Sequence, residues 1–219
     1  TKLSYDARKD LEPISLLAES GNALLVNAKL PYKSVKDMID TARKEPGTIN
    51  YASSGSGSTL HLAGALFAQQ AGVNLVHVPY RGNGPAIADV SAGQVQAIFS
   101  GIPPAISSAK TGQTRILAVT TKERVKSLPN VPTVAEAGLP GYAFTSWYGL
   151  FTTGGTDPAI VEKLAQEVRK IVARPDVRAQ LEAQGLTPET SDPKTFKEQI
   201  DRELKGWTRD VKALGISLD

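Results

Sequence analysis

Between residues 34 and 120 short apolar runs alternate with stretches in which apolar residues recur every three or four positions. Ser34 stands before Val35, Met38, Ile39 and Ala42, which share one helical face, and Pro46-Gly47 supplies the stop. Ile49 to Ala52 reads as a strand, and Ser58 to Ala71 as a helix with Leu62, Leu66 and Phe67 on one stripe. Leu75 to Val78 is the next strand; Gly84-Pro85 opens a helix that Ala92-Gly93 closes. Val95 to Phe99, Pro103 to Lys110 and Arg115 to Thr120 continue as strand, short helix and strand. This βαβαβαβ order predicts a parallel sheet buried on both faces, with right-handed crossovers. Past Lys122 the pattern breaks at Pro129, Pro132, Gly138, Pro140 and Gly141, and Phe144 to Phe151 reads as a strand. Helices then follow from Thr156-Asp157-Pro158 to about Ala173, from Asp176 to Gln184, and from Asp192-Pro193 through Leu214. Lys197, Glu198, Asp201, Arg202, Glu203 and Lys205 give the last a solvated outer face.

Sheets of this kind hold small molecules beyond the carboxyl ends of their strands, where helix N-termini converge. The segments following the four strands are therefore the candidates. They are Ser53-Ser54-Gly55-Ser56-Gly57-Ser58-Thr59, then Pro79-Tyr80-Arg81-Gly82-Asn83-Gly84, then Ser100-Gly101, then Thr120-Thr121. In the first, glycines let backbone N–H groups turn toward one point. The helix behind adds about half a positive charge, and the hydroxyls are further donors. An anion suits that place, and each charge-assisted bond to a carboxylate contributes roughly 1.5–3 kcal/mol. The competing reading is a turn that only caps its helix. His61, in the first turn of that helix, points either at a ligand or into packing. Arg81 reads as a partner for a second carboxylate or as half of a surface ion pair. Trp147 and Tyr148 are core residues by default and cleft walls otherwise.

Composition narrows the chemistry. The 219 residues contain no Cys and two His, which leaves no thiol chemistry and little to build a transition-metal site, so no cofactor is expected. A net charge of +3 suits an anionic small ligand and is too dispersed for a nucleic-acid footprint. No apolar run approaches the ~20 residues that span a bilayer. The first residues, Thr1-Lys2-Leu3-Ser4-Tyr5-Asp6, carry no leader pattern and read as a processed or truncated start. Gly57-Ser58-Thr59 lacks the lysine of a phosphate-binding Walker loop, and Gly55-Ser56-Gly57 lacks the third glycine of a dinucleotide fingerprint. Ser107-Ser108-Ala109-Lys110 and Lys110-Thr111-Gly112 match motifs of penicillin-recognising enzymes but share one lysine, which argues coincidence. His61 and His77 have no serine or carboxylate at recognisable triad spacing, and His77 reads as a core or edge residue.

Tyr51 to Gly64 with its Ser/Gly core, His77-Val-Pro-Tyr-Arg-Gly82, Ala92-Gly-Gln-Val95 and Leu128-Pro-Asn-Val-Pro-Thr-Val-Ala-Glu-Ala-Gly138 together resemble the substrate-binding proteins of tripartite tricarboxylate transporters, the Bug or TctC family. The resemblance covers essentially the whole chain. It implies an α/β, type II periplasmic-binding-protein-like fold of two lobes with mostly parallel sheets and hinge crossovers. It also implies a periplasmic location, no catalysis, a small mono-, di- or tricarboxylate as ligand, and delivery to membrane permease subunits. Residues 22–121 are expected to form one complete lobe, and residues 1–21 plus 122–219 part of the other. Leu11 to Leu17 and Phe144 to Phe151 would cross between lobes. Family members open with a strand and a Pro-Gly-Gly loop that have no counterpart here, so the chain is expected to be a fragment. Carried over by position, Ser53, Ser54, Gly55, Ser56, Gly57, Ser58 and Thr59 match the loop presented to the ligand carboxylate. Tyr80, Arg81 and Ser100 are added from strand-end geometry, and His61 from its place in the first turn of the helix after the loop. A monomer is the expected state, as for a delivery protein that docks on a permease. Two other classes compete: the effector-sensing domain of a transcription regulator, which needs a helix-turn-helix upstream, and an acyl-group hydrolase, which needs a carboxylate to orient a histidine.

Overall fold

The computed structural model describes residues 4–214 and 216. In chain order the elements are β1 (Leu11–Asn27), α1 (Val35–Lys44), β2 (Asn50–Ser53), α2 (Thr59–Ala71), β3 (Val76–Pro79), α3 (Asn83–Ala92) and β4 (Ala97–Gly101). There follow α4 (Ile102–Lys110), β5 (Thr114–Val119), β6 (Thr145–Thr153), α5 (Pro158–Ala173), α6 (Pro175–Ala183), β7 (Leu186–Pro188) and α7 (Pro193–Ala213). The chain divides into two compact units, Thr1–Ser20 with Ser146–Asp219, and Gly21–Thr145.

The second unit is built on a sheet of order β3-β2-β4-β1-β5. β2 runs parallel to β3 and β4, as the crossovers require, but β1 is antiparallel to both β4 and β5. The sheet is therefore mixed rather than wholly parallel. Between β4 and β5 lies the Ala23-Leu24-Leu25-Val26 part of β1, each residue fully buried. The polar run Glu19-Ser20-Gly21-Asn22 in front of it hides this strand from a periodicity reading. The antiparallel insertion has a topological consequence: Asn22, opposite Gly101, lies at the same sheet edge as the carboxyl ends of β2, β3, β4 and β5.

Both faces of this sheet are covered. Ala23, Leu25, Ala52 and Ile98 pack with Ala86 and Val90 of α3 and Ala105 of α4. On the other face Phe67 of α2 lies between Phe99 and Tyr142, at 5.6 and 5.9 Å between ring centres. Helix boundaries follow their local chemistry. Ser34 caps α1 by accepting the Asp37 N–H at 3.1 Å, and Gly72 ends α2 in the left-handed region. β3 is an edge strand with half-exposed side chains, so His77 is an edge residue.

Residues 122–145, expected with the other unit, cluster with this one. The reason is hydrogen bonding: Val119 and Val134 exchange bonds with this segment and the strand, and the Phe144 N–H donates to the Thr120 carbonyl. Tyr142 then sinks behind α2 and donates its hydroxyl to the Ala63 carbonyl at 2.9 Å. Removing that hydroxyl in Tyr142→Phe leaves the ring packed and one buried carbonyl short of a donor. Urea unfolding should show a loss of about 1 kcal/mol.

In the first unit β1 pairs with β6 and, through Ala18 to Ser20, with β7. β7 has three residues, too few to register as a pattern. Trp147 is partly buried, edge-on to Phe196 at 5.1 Å, whereas Tyr148 on the alternate face is 57% exposed. Glu203, expected on a solvated face of α7, turns inward and accepts the Trp147 indole N–H at 2.7 Å.

Candidate functional site

α2, α3 and α4 all begin at the carboxyl edge of the second unit's sheet. Their N-termini each bring about half a positive charge to one place. Ser53, fully buried, ends β2, and the chain turns through Gly55 at φ 134° and Gly57 at φ 74° before entering α2. Side chains other than glycine's rarely adopt such angles, so the two glycines make this turn possible. Their own N–H groups, however, point inward. Gly55 donates to Ser53 Oγ at 3.1 Å, and Gly57 to His61 Nδ1 at 3.0 Å. The N–H of Ser58 closes the turn on the Gly55 carbonyl, and its hydroxyl caps α2 by accepting the His61 N–H at 3.3 Å.

The donors left without a partner are different groups. The N–H groups of Ser54, Ser56, Thr59 and Leu60, and the hydroxyls of Ser54, Ser56 and Thr59, carry no hydrogen bond among the described residues. Ser56 and Thr59 are exposed. A short run of backbone therefore presents several donors at a helix N-terminus, which is the arrangement that holds an anion. Arg81 is exposed and has no ion-pair partner among the described residues, which removes the surface-pair reading.

Two candidates lie elsewhere. Tyr80 turns to the α3 side and donates its hydroxyl to Asp89 at 2.7 Å. Burial, and then that carboxylate, push its phenol up to about 12. What it gives the loop is its backbone N–H, which donates to the Ser53 carbonyl at 3.0 Å. Ser100 shares the α3 face with Ile98, accepts from Asn83 Nδ2 at 3.0 Å and donates to the Gly101 carbonyl. Asn22 was not foreseen, and Asn83 was named only as part of its strand-end segment. Asn22 Nδ2 and Asn83 Oδ1 are buried with no hydrogen-bond partner among the described residues. No sequence signal marks Asn22, because its place depends on the antiparallel strand.

The histidines form the least expected part. His61 and His77 stack with ring centres 3.6 Å apart and planes 4° from parallel. His77 Nε2 lies 2.6 Å from Ser53 Oγ. A serine–histidine pair was not legible in the sequence, since 24 residues separate the two. It lacks the features of an activated nucleophile: Ser53 is buried, its hydroxyl is directed to the Gly55 carbonyl at 3.0 Å, and no carboxylate bonds to His77 among the described residues. Burial lowers the pKa of His61; burial, and then the neighbouring His61, lower that of His77 to about 4. Unfolded imidazoles at their ordinary value take up protons that the folded pair refuses. Stability is therefore full above about pH 6.5 and falls as pH drops toward 4, by about 2 kcal/mol after allowance for partial exposure. Urea midpoints across that range should fall for the wild type and less steeply for His77→Gln.

The overlapping Ser-x-x-Lys and Lys-Thr-Gly motifs sit at the far end of α4, away from this edge, where Ser108 bonds Thr114 at 2.8 Å.

A mixed α/β sheet with helix N-termini and a donor-rich loop at one edge is a fold this chain shares with periplasmic binding proteins of solved structure. The chain belongs to the tripartite tricarboxylate transporter family receptors (TctC), whose family model matches residues 1–216. It is 30% identical over 216 residues to the protein BugT of Bordetella pertussis, covering 99% of this chain and 66% of BugT. It spans 62 to 66% of the length of curated relatives of this kind. Among solved structures it is similar to Rpa4515 of R. palustris with adipate, at TM-score 0.87 and 33% identity over 99% of this chain and 72% of that one. It is also similar to MatC of Rhodopseudomonas palustris with bound malate, at TM-score 0.78 and 30% identity over 94% of this chain and 71% of that one.

Proposed function

We propose that this protein captures a small carboxylate outside the cytoplasmic membrane and delivers it, unreacted, to a membrane permease. The observation that carries the reading is the set of unpartnered donors of Ser54, Ser56, Thr59 and Leu60 at the N-terminus of α2, with the Arg81 guanidinium on the next strand end. Carboxylate oxygens match these groups in charge and in hydrogen-bonding sense. Two relatives of known structure hold adipate and malate, which favours a dicarboxylate. Ser53, Gly55, Gly57, Ser58 and His61 shape the loop, Ser54, Ser56 and Thr59 face the acid, and Tyr80 and Ser100 support the neighbouring strand ends. In a periplasmic receptor the second unit would supply this half of the site.

Thermal unfolding of the full encoded protein against mono-, di- and tricarboxylates tests this. A ligand at about 100 times its dissociation constant adds ~2.7 kcal/mol, or a rise of roughly 5–10 °C at this size. A shift confined to one acid class supports the reading and names the class. No shift with any acid contradicts it.

A further inference from the structure

We propose that His61 and His77 are positioning residues that form a proton-sensitive clamp on the Ser53–Thr59 loop, so that anion capture weakens when the pair takes up a proton. This rests on the carboxylate-binding reading for its ligand, and on geometry alone for the clamp. Three of the loop's inward contacts end on these rings or on the atom beside them. Gly57 donates to His61 Nδ1 at 3.0 Å, His77 Nε2 meets Ser53 Oγ at 2.6 Å, and Gly55 donates to that same Oγ at 3.1 Å. With the Ser53 hydroxyl directed to the Gly55 carbonyl, His77 Nε2 is the donor in its pair. His61 must then keep its Nδ1 lone pair for Gly57, which places its own proton on Nε2.

A proton added at His61 Nδ1 sets two N–H donors against each other at 3.0 Å, and Gly57 has to leave. A proton added to His77 leaves its contact with Ser53 intact but puts a charge 3.6 Å from the second ring. The protons therefore arrive in two steps that belong to the pair, the second against the charge of the first. The surroundings do nothing to offset this. The titratable group facing the rings from β2 is the Tyr51 phenol, with ring centres 6.3 Å from His61 and 5.2 Å from His77, and burial raises its pKa. No carboxylate, lysine or arginine contacts either ring among the described residues. Burial already lowers the pKa of both histidines, which places the transition on the acid side of neutrality.

The variants follow from atom positions: His61→Asn puts an amide oxygen where Nδ1 accepts, and His77→Gln puts an amide nitrogen where Nε2 donates, and neither titrates. The experiment reads two quantities between pH 7.5 and 3.5, a range that spans the His77 value of about 4: amide exchange at Gly57 in the ligand-free protein, beside the imidazole NMR titration, and adipate affinity by calorimetry. In the wild type, Gly57 should lose protection in step with ring protonation. Adipate affinity should fall further in the wild type than in the double variant, by up to about tenfold for each pH unit below the pair's first protonation step. His61→Asn alone gives the same comparison if the double variant does not fold. Gly57 protection that persists while both rings protonate overturns the clamp, and so does an equal affinity loss in wild type and variant. Failure of adipate and related acids to bind at pH 7.5 overturns the carboxylate reading instead, and the Gly57 arm then decides the clamp by itself.

Discussion

Gly64→Ala should destabilise the second unit by about 2–3 kcal/mol and lower its thermal midpoint by roughly 5–10 °C. Helix propensity alone predicts the opposite sign, since alanine in a helix interior is worth about 1 kcal/mol over glycine. The difference lies in what Gly64 faces. A Cβ there would stand 2.2 Å from Tyr51 Cε2 and 2.6 Å from Cδ2. Tyr51 cannot swing aside: it is 2% exposed, His77 lies 5.2 Å from its ring centre, and Phe99 meets it edge-on at 6.4 Å. Shifting the ring presses on the stacked histidines and through them on the loop. Circular dichroism melts of the wild type and Gly64→Ala decide the matter, and an unchanged or higher midpoint would contradict the close approach. Pairing the substitution with Tyr51→Leu should recover part of the loss, because the two changes share one contact.

Ser58→Trp should lower carboxylate affinity at least ~100-fold, the equivalent of about 2.7 kcal/mol. Ser58 stands at the mouth of the loop, with its hydroxyl capping α2. An indole there covers the donors of Ser56, Thr59 and Leu60. Loss of the cap by itself is a smaller effect, and Ser58→Ala isolates it: about 1 kcal/mol in urea unfolding, with the cradle left open. Calorimetric titration with adipate or malate separates the two roles. A tryptophan variant that binds as the wild type does would reduce this loop to a helix cap.

Much of this architecture is written locally. α1, α2 and α5 carry their caps, spacing and stops within a few residues, and the helix starts agree with the sequence to within about one residue of their expected place. The Ser53 to Thr59 loop was legible because glycine and hydroxyl spacing after a strand is itself the chemistry. What the sequence hid is what depends on distant partners. The direction of the Ala23 to Val26 strand is fixed by β4 and β5, which lie far along the chain. Residues 122–145 join the second unit because Tyr142 reaches Ala63. The His61–His77 stack and the Ser53 contact arise only when β2 and β3 pair in register, Tyr51 opposite His77 and Ser53 opposite Pro79. Tyr80 illustrates the converse: its position at a strand end was correct, but strand alternation sends its ring to the α3 side, where Asp89 holds it.

The central claim is that the carboxyl edge of the second unit receives the carboxylate at the N-terminus of α2. Amide NMR of the full encoded protein during titration with adipate and malate tests it most directly. Saturable shifts are expected at Ser54, Ser56, Thr59 and Leu60, with smaller ones at Arg81 and Ser100. Shifts confined to other surfaces, such as the groove of the first unit lined by Glu12, Asp192 and Lys197, would contradict it, as would an unperturbed loop at saturating acid.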